Sequence, residues 1–194
     1  MSRLTPDDWL DHGYAILGEE GLTALKLDRL CRRAGATKGS FYWHFADMAA
    51  YRAALIAAWA QRHGAAPGGD SSDGDTPGGD TRWGDGGTDL PPAERLDRMI
   101  AGLLDPQHWR TERAMREWAR SDAAVAAGVA AADQRVQAAV LAVFTDLGFD
   151  RGQALLRAST TFAAGIGHLT LGVDERSPMS ESGRKQFVQF MIRP

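Results

Sequence analysis

Cysteine is almost missing from this chain of 194 residues, which holds only Cys31. No disulfide can close within it, and no metal site can rest on paired thiolates. Cys31 falls beside a leucine in a helix-forming stretch, which reads as a buried structural thiol rather than a redox sensor. A dominant charge is missing too. The formal net charge is −3, unlike that of a protein that coats nucleic acid without selection. No apolar run reaches the ~18 residues of a membrane span. Asp7, Asp8 and Asp11 interrupt the N-terminus where a secretion signal needs an apolar core. The expected setting is the cytoplasm, with no membrane partner. HExxH, a Cys/His metal set, a phosphate-cradling glycine loop and an ordered Ser/His/Asp set are all missing. We therefore expect no enzyme, no metal and no cofactor.

No stretch alternates as a strand does, and helical spacing runs through most of the sequence. Thr5-Pro6-Asp7-Asp8 is a helix start, with a hydroxyl cap, a proline in the first turn and acids at the positive end of the dipole. Trp9, Leu10, Gly13, Ile16 and Leu17 then keep helical phase up to Gly21. A helix from about Met48 to His63 carries Tyr51, Leu55, Ile56 and Trp59 on one stripe. Residues 65–92 differ, with eight glycines, four prolines and six aspartates. Such a segment cannot bury enough apolar area to offset its ordering entropy, so it reads as a disordered loop. Five more helices follow, over about 93–104, 106–120, 122–147, 150–171 and 180–191. The fold class is all-α: an N-terminal three-helix unit over 1–64, the loop over 65–92, and a helical bundle over 93–194.

The most telling stretch is Gly35-Ala36-Thr37-Lys38-Gly39-Ser40-Phe41-Tyr42-Trp43-His44-Phe45. Arg29 to Ala34 reads as a helix, and Gly35 can take the positive φ of a C-cap. Thr37 can cap the next helix by accepting from the backbone N–H of Gly39 or Ser40. Two helices joined by such a turn form a helix-turn-helix, whose second helix points its N-terminal residues at base edges. Those residues are Thr37, Lys38, Gly39 and Ser40, small or cationic, and Lys38 can reach a guanine edge or a phosphate. Phe41 and Phe45 share a face and should pack inward. Tyr42, Trp43 and His44 fall on other faces and carry donors suited to phosphate. Within 24–45, Lys26, Arg29, Arg32, Arg33 and Lys38 face only one acid, Asp28. A local cationic stripe of this kind is what DNA would meet, whatever the overall charge.

Residues 1 to about 64 resemble the DNA-binding domain of the TetR (tetracycline-repressor-like) family of transcriptional regulators. The likeness rests on Gly21-Leu22-Thr23-Ala24-Leu25, Leu27-Asp28-Arg29-Leu30, Ala34-Gly35 and Lys38 to Phe45. It implies DNA contacts from Lys26, Thr37, Lys38, Gly39, Ser40, Tyr42, Trp43 and His44. The chain departs from the family in carrying Met48 where a lysine is usual and Lys26 where threonine is frequent. The resemblance also implies a homodimer on near-palindromic double-stranded DNA, built through the last two helices, roughly 150–172 and 180–192. Ala163, Ala164, Gly165 and Gly167 would let a second helix approach there. It further implies a small-molecule effector held in the bundle, for which Trp109, Met115, Trp118, Phe144, Phe162 and His168 are the candidates. The expected function is a repressor released from its operator by that effector. The alternative is an effector-independent regulator whose bundle only dimerises.

Overall fold

The computed structural model of the chain describes residues 4–62, 89–171 and 180–194. Its elements are α-helices: α1 (Pro6–Glu20), α2 (Leu27–Ala34), α3 (Lys38–Tyr42), α4 (Met48–Arg62), α5 (Pro92–Leu103), α6 (Pro106–Ala119), α7 (Ala123–Asp146), α8 (Arg151–Leu171) and α9 (Glu181–Met191), with a 3-10 turn at Leu22–Ala24. No strand occurs among the described residues. The stretch read as a disordered loop lies outside the described residues through position 88.

Local chemistry sets most helix ends. Thr5 and Asp8 form a reciprocal capping box, each side chain accepting from the other's backbone N–H, at 3.2 and 2.7 Å. The Thr5 backbone N–H holds the Asp8 carboxyl below its ordinary range. Asp47 starts α4 by accepting from Ala50 N at 2.7 Å, and Ser180 starts α9 by accepting from Gly183 N. Gly35 ends α2 at φ 61°, ψ 30°, with its own N–H reaching Arg32 O and the next reaching Cys31 O. That double closure requires a left-handed residue, which glycine supplies without a Cβ penalty.

Two compact units emerge. The first comprises residues 1–61 and 106–130, and the second 62–105 and 131–194. The packing unit that holds the first four helices therefore also takes in α6 and the start of α7, beyond the sequence segment 1–64.

In the first unit, an aromatic cluster joins α1, α3 and α4. Phe41 meets Trp9 edge-on at 5.5 Å, and Phe45 meets Tyr51 edge-on at 5.0 Å. The Tyr51 hydroxyl donates to Trp9 O at 2.8 Å, and the Tyr14 hydroxyl to Leu55 O at 2.7 Å. Burial pushes the Tyr51 phenol strongly upward in pKa, so it stays a donor. Against α6, a Cβ on Gly18 would sit 3.2 Å from Arg110 Cβ. Trp59 Nε1 donates to the buried Glu112 carboxylate at 3.0 Å, linking α4 to α6.

In the second unit, Leu96, Met99, Ile100, Val140, Val143, Phe144, Ala154, Ala158, Val188 and Met191 form the core. Arg95 pairs with Asp146, and Arg157 donates to Met191 O while its guanidinium covers the Phe149 ring at 4.1 Å. Arg184 lies 3.2 Å from Asp97. These contacts hold α5, α7, α8 and α9 together.

Candidate nucleic-acid interface

The turn between α2 and α3 sets the geometry. The Schellman closure at Gly35 stops α2, and two residues later Thr37 caps α3 by accepting from Ser40 N at 3.2 Å. Of the two partners the sequence left open, Ser40 is the one used. Phe41 and Phe45 are buried, as their shared helical phase predicts. That anchoring turns the intervening side chains outward. Tyr42 is 55% exposed and Trp43 72%. An indole so exposed covers no core, and side chains of this kind are enriched at contact surfaces. His44 is half-buried, its ring 6.3 Å from that of Phe45.

Gly39 carries a separate signal. It lies inside α3 with no positive φ, and an added Cβ would meet only Thr37 Oγ1, at 3.7 Å. Nothing within the described residues requires glycine there, although glycine inside a helix costs about 0.5–1 kcal/mol relative to alanine.

The cationic stripe needs correction. Arg29 holds Glu20 with three hydrogen bonds, and Arg33 holds Glu19 with two. Lys38 Nζ lies 2.8 Å from Asp28 Oδ1. Each of these carboxyls is held below its ordinary range, first by the hydrogen bond from its cationic partner. Glu19 and Glu20 end α1, outside residues 24–45, and reach the stripe only through the fold. Lys26 and Arg32 form no ion pair among the described residues. Lys26 is exposed at the N-cap of α2, where it has no acceptor to offer the helix.

An open depression of about 490 Å³ lies between the two helices of the motif, lined by Asp28, Cys31, Arg32, Ala36 and Lys38. Cys31 itself is buried, and burial pushes its thiol pKa upward. It is a structural thiol, as its sequence position suggests.

The six bundle residues divide between the units. Trp109, Met115 and Trp118 belong to the first; Met115 and Trp118 are buried core, and Trp109 is half-buried. Phe144, Phe162 and His168 belong to the second. Phe144 is core, and the other two are half-buried. His168 Nε2 is buried with no hydrogen-bond partner among the described residues, and desolvation lowers its pKa.

On α8, Leu156 and Leu171 are 67% and 87% exposed, and Phe190 on α9 is 68% exposed. Ala163 and Ala164 are exposed with them. Gly165 has another use, since its Cβ would lie 2.8 Å from Leu103 Cδ2 of the same chain. The helix that approaches it is α5.

These features define a helical protein whose helix-turn-helix presents exposed aromatics and a glycine without packing reason. Residues 10–55 match the model of the bacterial regulatory proteins of the tetR family. Over that stretch the chain carries the N-terminal helix-turn-helix domain of the TetR family. No curated protein matches it significantly. Among solved structures, a transcriptional regulator from Rhodococcus superposes with a TM-score of 0.67 at 17% identity, covering 97% of this chain and 94% of the other. A protein from Pseudomonas aeruginosa named for transcriptional regulation gives 0.67 at 17%, covering 98% and 91%. One from Mesorhizobium loti, named for the TetR family, gives 0.65 at 16%, covering 96% and 94%. At these identities the likeness speaks for the fold.

Proposed function

We propose that the protein is a dimeric, sequence-specific repressor acting in the cytoplasm, released from a near-palindromic operator by a small molecule. The observation that carries the DNA-reading part is Gly39. A helical glycine with no internal reason to be glycine is accounted for by an outside surface that comes too close for a Cβ. In this reading Lys38 and Ser40 meet base edges beside it, while Lys26, Thr37, Tyr42, Trp43 and His44 hold the backbone. Thr37 uses an oxygen lone pair on Ser40, and its hydroxyl hydrogen remains available to a phosphate.

The dimer is supported by the apolar surface of Leu156, Leu171 and Phe190, which water disfavours and a second copy would cover. Two readers then reach major-groove faces about 34–36 Å apart. The effector is supported by His168. Its ring presents a buried Nε2, unpartnered among the described residues, that a polar guest would satisfy. The full burial of Met115 and Phe144 favours the second reading, a dimeriser without an effector, because closed core offers a guest no room.

Salt-titrated binding of the purified protein to DNA upstream of its own gene, against scrambled DNA of equal length, tests the reading. The expected result is tight binding to the upstream DNA alone, lost in Tyr42→Ala. Lys26→Ala should weaken binding to every sequence and lower the salt slope by about one. Equal weak binding to both DNAs, persisting after refolding to strip bound ligand, would count against a reader. In sedimentation, Phe190→Glu should yield monomer; an unchanged dimer would move the interface elsewhere. A compound that releases operator from the wild type but not from His168→Ala would separate the two effector readings.

A further inference from the structure

The Lys38–Asp28 pair has a chemistry of its own. Lys38 opens α3, the helix whose N-terminal end faces bases in the proposed function, on which this inference rests. Asp28 stands in the first turn of α2, yet its carboxylate reaches that same place. Both side chains are well exposed, 61% and 70%, so the pair faces solvent as a unit. An ammonium offers only donors and a carboxylate only acceptors. Their contact is 2.8 Å long. In a Watson–Crick pair the major-groove keto oxygen and the amino nitrogen opposite are hydrogen-bonded to each other, so they lie about 2.9 Å apart. The protein pair and the base pair therefore present complementary groups at the same spacing.

We infer that Asp28 and Lys38 read one base pair together, the ammonium donating to a guanine O6 and the carboxylate accepting from the amino group of the paired cytosine. Guanine N7 offers the ammonium a second acceptor, which thymine lacks. The inverted pair, C·G, would set amino against ammonium and keto against carboxylate, two repulsions at once. Asp28 is thus a specificity-determining residue. Its negative charge also weakens the pull of Lys38 on phosphate, suppressing binding to DNA of any sequence.

The test is selection by the full-length protein from a pool of randomised duplexes, run with wild type, Asp28→Asn, Asp28→Ala and Lys38→Ala. Thermal unfolding of each variant separates loss of fold from loss of reading. The wild type should enrich G·C over C·G at one position of each half-site. Asp28→Asn, nearly the same shape, should cut that ratio about tenfold, one good base contact's worth. Asp28→Ala should do the same and bind scrambled DNA more tightly. A folded Asp28→Asn that keeps the wild-type preference would overturn the inference while leaving the DNA-reading assignment intact. So would loss of the preference in Lys38→Ala alone. A wild type that enriches no sequence would remove both.

Discussion

Gly13 and Gly39 both lie within helices, where glycine carries the same intrinsic penalty, and the reasons for them are opposite. A Cβ on Gly13 would sit 1.9 Å from the Tyr51 hydroxyl and 2.7 Å from Leu55 Cδ1. The gap lets α1 and α4 close and lets Tyr51 reach Trp9 O. A Cβ on Gly39 would meet only Thr37 Oγ1, at an unstrained 3.7 Å. The first glycine belongs to the interior of the reader and the second to its outer surface. Packing explains one, and the outside partner proposed above would explain the other. Fold and function are thus separable within one small unit by asking what each missing side chain would have touched.

Substitutions sharpen that contrast. Gly13→Ala should have the largest effect, because it overpacks a core contact and displaces a buried hydrogen bond. A loss of about 1–3 kcal/mol or more in urea unfolding is expected. Wild-type stability in this variant would mean that α1 and α4 are less tightly joined than the Tyr51 contact requires. Trp59→Phe removes the indole donor from the buried Glu112 carboxylate and should cost about 1–3 kcal/mol. Its operator affinity, measured well below the unfolding range, should change less than its stability. Gly39→Ala goes the other way, with a gain of up to about 0.5–1 kcal/mol, since nothing obstructs the methyl group.

The smallest effect concerns pH. Glu19, Glu20 and Asp28 have carboxyls held below their ordinary range in the folded state by Arg33, Arg29 and Lys38. Groups with lowered pKa values stabilise the fold fully above their unfolded values and lose that contribution as pH falls through the folded ones. Acid unfolding should therefore be less steep in Glu19→Gln/Glu20→Gln than in the wild type. Identical acid profiles would mean these exposed pairs contribute nothing.

The sequence made the helix ends and the motif legible because their causes are local. Thr5, Gly35, Thr37, Asp47 and Ser180 each act within a few residues of themselves. The inward phase of Phe41 and Phe45 follows from helical geometry alone. What stayed hidden depends on the tertiary fold. Glu19 and Glu20 neutralise a stripe that begins several residues later, and Asp28 finds Lys38 only once the turn has formed. Trp59 and Glu112 are distant in sequence, and their contact places α6 in one compact unit with the first four helices. Gly165 looked like one of several small residues for a partner helix, yet it serves Leu103. The signal available in advance for Glu112 was a lone acid in an otherwise aromatic and apolar stripe of α6.

The most direct test of the account is to measure Gly39→Ala twice, by thermal unfolding and by binding to an operator selected with the wild type. The account expects a melting point equal to or above that of the wild type, with operator affinity reduced by about tenfold or more, as loss of one good contact would give. A variant that melts as expected and binds with wild-type affinity would contradict it, because a glycine of the motif without an internal purpose would then have no external one.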